Sequence, residues 1–156
     1  MATEAERATF VERMGGALTS AGLARLPSRI FSALLIDADG RMTAAEIGAA
    51  LGVSPAAVSG AVRYLDGVGM VRRERERGSR RDIFVVDDDA WHEMMMHADQ
   101  YYGPMQAALR RALDSLPEDD PAHRRLRFSY EFIAFVTEEM KALSERWDQR
   151  VTELGL

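Results

Sequence analysis

The sequence predicts a mainly α-helical fold of the α+β class, with one β-hairpin as its strand content. A capping box at Thr43 and Glu46 begins a short helix. The segment Gly-Val-Ser-Pro at residues 52–55 ends that helix and begins another, since glycine permits a sharp turn and serine and proline suit a helix start. An arginine-rich stretch with strand character follows at residues 70–86. Two helices joined by a tight turn and followed by a two-stranded hairpin make a winged helix-turn-helix.

Helical spacing of apolar residues predicts further helices before and after this unit. Residues 3–21 form the first, and the second begins near Pro27. A long helix is expected over residues 88–116, with a kink or brief break at Gly103-Pro104. The faces expected to be buried carry Phe10, Met14, Ala17 and Leu18 in the first helix and Ile30, Phe31, Leu34 and Leu35 in the second.

The last helix, residues 122–154, is apolar on two sides. One side carries a large apolar residue at every seventh position, and Phe128, Phe132 and Phe135 form the other. A helix with two apolar faces must be covered on both. We therefore expect homodimerisation through N- and C-terminal helices, with domains at residues 1–22 (dimerisation), 23–87 (DNA binding) and 88–156 (dimerisation). The seventh-position residues are Leu126, Ile133, Met140, Trp147 and Leu154.

The distribution of charge favours a nucleic-acid partner despite the net charge of −5. Residues 54–86 hold seven arginines and four acidic residues, or +3, so the remaining residues carry −8. Salt screens charges beyond about 8 Å, so a phosphate backbone responds mainly to the local positive potential. The acidic total also suits the alternative of a winged helix that binds protein instead of DNA.

The outward face of the second helix of the pair is expected to enter the major groove of double-stranded DNA. Its side chains are small apart from Arg63 and Tyr64, so the helix can approach the base edges closely. Arg63 is the long donor on this face and the candidate reader of guanine. The bland alternative is an alanine-rich surface helix. The candidate groove residues are Ser54, Ala56, Ser59 and Arg63.

The hairpin supplies a second set of candidate DNA contacts. Arg73, Arg75 and Arg77 alternate with acidic residues, which places the arginines on one face of a strand. Arg77, Arg80 and Arg81 lie near the tip, where a wing meets the minor groove or the flanking phosphates. We also expect ion pairs across the hairpin, for example from Asp82 to an arginine, with Arg81 or Arg73 partly structural.

No metal or cofactor site is predicted. His92 and His97 are five residues apart, so on a helix they are separated by about 140° and cannot easily share one ion. No catalytic cluster of serine, histidine and acid is visible, which disfavours a small enzyme. An aromatic and methionine-rich segment suits either a small-molecule effector pocket or ordinary dimer core. Its candidate ligand-binding residues are Trp91, Met95, Tyr101 and Tyr102.

The chain resembles the MarR-type winged-helix regulators, and more closely their GbsR-like branch. The resemblance lies in the residue 22–35 segment, the residue 43–65 helix-turn-helix with its Ser-Pro-Ala-Ala-Val-Ser core, and Arg-Gly-Ser-Arg-Arg at 77–81. It implies a homodimeric transcription factor, often ligand-responsive, with one wing per subunit. Gly78 stands where many MarR proteins carry an acidic residue two positions before a wing arginine.

The expected function is that of a transcriptional repressor that binds a pseudo-palindromic operator. The chain has no cysteine, which excludes disulfides and a thiol switch. No apolar run approaches the roughly 18 residues that a membrane span needs, so no membrane partner is expected. The acidic N-terminal segment differs from a secretory signal, and a cytoplasmic location is expected.

Overall fold

The computed structural model describes residues 3–75, 78, 81–96 and 98–156, with the backbone alone for residues 93, 94, 96 and 98–101. The chain divides into two compact units that are each contiguous in sequence, Met1–Glu93 and Met94–Leu156.

The first unit begins with two packed helices, α1 (Glu4–Ser20) and α2 (Arg25–Ile36). Ile30, Phe31 and Leu34 of α2 are fully buried, which confirms the apolar face predicted for this helix. The buried residues of α1 are Val11, Gly15 and Leu18. The predicted face of α1 is therefore displaced, since Phe10 and Met14 are only half-buried and Ala17 is exposed.

Close packing of α1 on α2 depends on a glycine. A Cβ atom placed on Gly15 would lie 3.1 Å from Cγ of Arg29 and 3.4 Å from its Cα. Arg29 also donates to the Glu12 carboxylate, with Nε 2.9 Å and Nη2 2.8 Å from Oε1. The small residue and the ion pair together hold the two helices at short distance.

The helix-turn-helix consists of α3 (Ala44–Leu51) and α4 (Pro55–Gly67). The capping box at Thr43 is present: its hydroxyl accepts from the Glu46 N–H at 3.3 Å, and its own N–H donates to the Glu46 carboxylate at 2.7 Å. The Thr43 N–H and, to a lesser extent, the Thr43 hydroxyl donate to the Glu46 carboxylate and lower its pKa. The predicted start of this helix is confirmed.

The sheet has three antiparallel strands, one more than the predicted hairpin. Strands β2 (Arg72–Arg75) and β3 (Asp82–Val85) form the wing, and β1 (Arg41–Thr43) pairs with β3, giving the order β1-β3-β2. Met42 lies opposite Phe84, and Arg73 lies opposite Phe84 on the other side. The prediction missed β1, because three residues before a helix carry no readable alternation.

The second unit contains a long helical hairpin. It comprises α6 (Ala98–Ser115) and α7 (His123–Leu154), while α5 (Ala90–Met96) leads into it from the first unit. Of the kink or brief break predicted at Gly103-Pro104, the break is wrong, because α6 continues through Pro104. Proline removes one backbone hydrogen bond, and α6 packs on α7, so the helix tolerates this loss.

Helix α7, which is described over its whole length, has no buried residue in this chain. On the side towards α6, Nη1 of Arg110 donates to Tyr130 Oη at 2.9 Å, and the Arg110 guanidinium carbon lies 5.7 Å from the tyrosine ring centroid. Phe128, Phe132 and Phe135 are exposed by 75%, 58% and 60%. A large apolar surface on α7 is thus left to solvent.

Candidate nucleic-acid interface

The turn between α3 and α4 sets the direction of α4 by local chemistry. Gly52 adopts a left-handed conformation with φ +66°, which glycine alone tolerates without strain. Ser54 accepts at Oγ from the Ala57 N–H at 3.3 Å, and Pro55 occupies the first helical position. The axes of α3 and α4 consequently differ by 110°.

Helix α4 presents two chemically different faces. Val58, Ala61, Val62 and Leu65 are buried in the first unit, as their spacing predicts. The opposite face is exposed and, apart from Arg63 and Tyr64, carries no large side chain. The exposed residues of this face are Ala56, Ser59, Gly60, Arg63 and Tyr64. Such a surface fits the width and depth of a major groove.

A cleft of about 510 Å³ connects the exposed face of α4 to the wing. It brings together three of the predicted DNA-binding residues, Ser59, Arg63 and Arg81. It is lined on one side by the beginning of α3 and on the other by Arg73 and Phe84 of the sheet. The wing and α4 therefore border the same cleft, and three arginines line it.

The other predicted DNA-binding residues either do not line the cleft or are not among the residues that the structure describes. Ser54 is exposed and caps α4, and Ala56 is exposed on the first turn of that helix. Neither lines the cleft. Arg77 and Arg80 lie outside the described residues.

Arg73 lines the cleft and also makes an ion pair within the wing, in line with the expectation that Arg81 or Arg73 is partly structural. Nη2 of Arg73 lies 2.5 Å from Oδ2 of Asp82. This hydrogen bond raises the pKa of Arg73 and lowers the pKa of the Asp82 carboxyl. The expected ion pair from Asp82 to an arginine is confirmed. The alternation along β2 predicts that Arg73 and Arg75 lie on the same face of the strand. The strand register places Arg73 opposite Phe84, which lines the cleft, and so identifies this face as the one towards the cleft.

The opposite face of the sheet carries a second charged network. Arg72 donates from Nε and Nη2 to the two oxygens of Asp87, at 3.0 and 2.8 Å. Glu74 contacts both Arg72 and Arg41, so the network joins β1, β2 and the segment after β3. These hydrogen bonds lower the pKa of Glu74, with Arg72 as the larger cause, and that of Asp87. The arginines of this face are therefore engaged within the protein.

The residues predicted to bind an effector differ in their surroundings. Trp91 packs edge-on against Phe31, with ring centroids 5.0 Å apart and an angle of 82° between the planes. Met95 is 54% exposed, and Tyr102 is half-buried. The side chain of Tyr101 lies outside the described residues. Trp91 thus extends the core of the first unit.

Within the part of the chain that the structure describes, no group of three or more histidine, cysteine or acidic residues is placed to hold a metal ion. No single described helix is long and apolar enough to cross a membrane, although α3 and α4 taken together as a bent pair meet that test by length and composition.

A helix-turn-helix joined to a β-hairpin, with arginines of both facing one cleft, defines a winged helix-turn-helix protein.

Comparison with known proteins finds similarity to one family of regulators. The MarR family model matches residues 21–82, and the model of MmpR5-like MarR family transcriptional regulators matches residues 89–150. The HTH-type transcriptional regulator MmpR5 of Mycobacterium tuberculosis is 28% identical over 154 residues, covering 98% of this chain and 93% of that protein. A crystal structure of a transcriptional regulator is 27% identical, with a TM-score of 0.82, and the match covers 92% of this chain and 98% of that one. The chain is thus similar to MarR-family winged-helix transcriptional regulators in both of the matched segments and over most of its length.

Proposed function

We propose that the protein binds a pseudo-palindromic DNA operator as a homodimer and represses transcription from it. The observation that carries this proposal is the shared cleft, in which Ser59 and Arg63 of α4 lie with Arg81 beside the wing. Side chains of the helix would reach base edges, and wing arginines would bind phosphates or the minor groove. Arg77 and Arg80 are proposed to act with Arg81.

The experiment that tests DNA binding is a salt titration. An operator would first be selected from a random pool of duplexes, and its affinity then measured by fluorescence anisotropy at several salt concentrations. A DNA-binding protein loses affinity with a log–log slope of about −0.9 for each phosphate neutralised. Failure to recover any preferred duplex, together with a flat salt dependence, would favour the alternative of a winged helix that binds protein.

The proposed dimer is supported by the apolar surface of the terminal helices. No residue of α7 is buried within the chain, although its entire length is described. Trp147 and Leu154 are 41% and 51% exposed, in addition to the three phenylalanines. Phe10 and Met14 of α1 are half-exposed as well. A second copy is the proposed partner, because two recognition helices about 34–36 Å apart would read two half-sites.

Three finer points of this proposal rest on the sequence. The dimerisation and DNA-binding regions are proposed at residues 1–22, 23–87 and 88–156. The GbsR-like branch stays a prediction, since the matched models carry other descriptions. A small-molecule effector at Trp91, Met95, Tyr101 and Tyr102 also stays a prediction. Quenching of tryptophan fluorescence by a small aromatic compound, abolished in Trp91→Phe but retained in Trp147→Phe, would support it.

A further inference from the structure

The cleft between α4 and the wing contains acidic as well as basic side chains. Asp66 of α4 and Asp82 of β3 line it together with Arg63, Arg73 and Arg81. The described lining residues therefore carry +1, where the arginines alone would carry +3. A surface that binds only phosphate has no use for two carboxylates, because each repels the DNA backbone.

Asp82 acts on one arginine in particular. In the β2–β3 register it lies opposite Arg75, and its carboxylate reaches diagonally to Arg73, 2.5 Å away. The side chains of Arg73 and Asp82 are 57% and 29% exposed, so an incoming phosphate can compete for the guanidinium. The hydrogen bond from Arg73 lowers the pKa of Asp82 below its ordinary value of 3.8, and the carboxylate is charged at neutral pH. Asp66 raises the pKa of Arg73 by a Coulombic effect only, and is the weaker partner.

We propose that Asp82 is a specificity-determining residue, which withholds Arg73 from phosphate and so disfavours DNA of arbitrary sequence. This inference rests on the proposed DNA-binding function. Binding to arbitrary DNA comes almost entirely from phosphate contacts, so one more available arginine strengthens it directly. In an operator complex, base contacts by Arg63 and its neighbours fix the register of the duplex. A freed Arg73 then gains less, because the phosphates are not free to move towards it.

The test compares Asp82→Asn with the natural protein on two probes, a random-sequence duplex of 30 base pairs and the duplex recovered by selection. For the random duplex we expect the log–log salt slope to steepen by about 0.9, the value for one additional phosphate contact. Over a fourfold dilution of salt this slope adds about 3.5-fold in affinity. The selected duplex gains less, so the ratio of the two affinities falls.

A double-mutant cycle identifies Arg73 as the mediator. In an Arg73→Ala background, Asp82→Asn is expected to leave the salt slope unchanged, because no guanidinium is left to free. Asp66→Asn keeps the wing ion pair intact. It should also lower the ratio of selected-duplex to random-duplex affinity, but by less than Asp82→Asn does. Glu118→Gln, at an exposed position in the segment between α6 and α7, makes the same change in net charge away from the cleft and serves as the control.

The outcomes separate this inference from the function on which it rests. If the natural protein binds neither duplex in a salt-dependent way, the proposed function fails. If the natural protein binds both duplexes but Asp82→Asn leaves the salt slope for the random duplex unchanged, only the role of Asp82 is overturned. The same holds if Asp82→Asn changes that slope by the same amount in the Arg73→Ala background. Circular dichroism confirms that each variant is folded, and Asp66→Asn tests the same idea without altering the wing.

Discussion

Arg72 and Asp87 form a bidentate ion pair between the base of the wing and the segment that precedes α5. Glu74 extends this pair to Arg41, so that β1, β2 and the segment after β3 are joined on the face opposite the cleft. Exposed ion pairs contribute little one at a time, but a bidentate pair within a network restricts the wing more effectively. The orientation of the wing relative to α4 thus depends on charge as well as on strand pairing.

Stability is therefore expected to depend on acid pH. The folded-state pKa values of Asp82, Glu74 and Asp87 all lie below their ordinary values, 3.8 for aspartate and 4.5 for glutamate. A carboxyl with a depressed pKa stabilises the fold above its unfolded pKa and loses that contribution as pH falls through the folded pKa. The melting temperature should decline below about pH 4.5, and Asp87→Asn should make this decline shallower. An equal decline in the variant would exclude Asp87 as a contributor.

Arg63→Ala is expected to relax base choice and to cost about 1–3 kcal/mol of operator binding, because the lost contact is to a base. Arg77→Ala and Arg80→Ala should weaken binding more evenly across sequences if the contacts of these arginines are to phosphates. Anisotropy titrations on the selected duplex and on single-base variants distinguish the two patterns. Arg111→Ala, on exposed α6, removes the same charge from the second unit and should leave the base preference unchanged. Normal operator affinity in Arg63→Ala would remove that residue from the interface.

Gly60 tests whether the small face of α4 matters for DNA. A Cβ atom at Gly60 meets nothing within 4 Å, so Gly60→Ala should stabilise the helix by about 0.5–1 kcal/mol. Gly60→Leu should keep the protein folded but lower operator affinity, because the longer side chain holds the helix away from the base edges. Urea unfolding and duplex titration measure the two effects separately. Unchanged affinity in Gly60→Leu would mean that this face does not approach DNA closely.

At Gly40, unlike Gly60, the fold has no room for a side chain. It has φ +63°, and a Cβ atom there would lie 2.8 Å from the Val86 carbonyl oxygen. Its own carbonyl accepts from the Val86 N–H at 2.9 Å, which joins the start of β1 to the end of β3. Gly40→Ala should cost about 1–3 kcal/mol in urea unfolding, from strain in a left-handed conformation. Gly16→Ala, at an open position within α1, is the control and should be neutral or slightly stabilising.

Dimerisation is tested on α7 with charged substitutions. Met140→Glu and Phe132→Glu should each give monomers that lose operator binding while keeping a folded winged helix, because a charge cannot be buried unpaired. Lys141→Glu, exposed on the same helix, is the control and should remain dimeric. We expect an interface above about 2,000 Å², with Met140 and Trp147 near its centre. Sedimentation of the natural protein as a monomer at micromolar concentration would contradict the two-half-site proposal.

Elements governed by local chemistry were predictable from the sequence. The turn at Gly52 and Ser54, the capping box at Thr43 and the faces of α4 depend on residues a few positions apart. Strand β1 was missed because Met42 finds its partner at Phe84, far along the chain. The break offered as one of two effects of Pro104 is absent for a related reason, since packing against α7 outweighs the local preference.

The candidate site divides in the same way. The sequence placed Arg63 and Ser59 on the outward face of α4, since helical periodicity alone decides that. It did not indicate that Arg73 would line the same cleft, or that Asp82 would reach Arg73 diagonally and not the residue opposite it. Both facts depend on strand register and on how the sheet meets α4, which are properties of the assembled fold.

The contiguity of the two compact units has a consequence for how the protein is made. Every strand and every helix of the helix-turn-helix lies in Met1–Glu93, and the helical hairpin follows entirely after it. A ribosome that has released residue 93 has therefore released all the partners that the first unit needs for its own core. Translation proceeds slowly enough, at about 5–20 residues per second, for a small unit to fold meanwhile. The recognition helix can be in place before the apolar surface of α7 has left the exit tunnel.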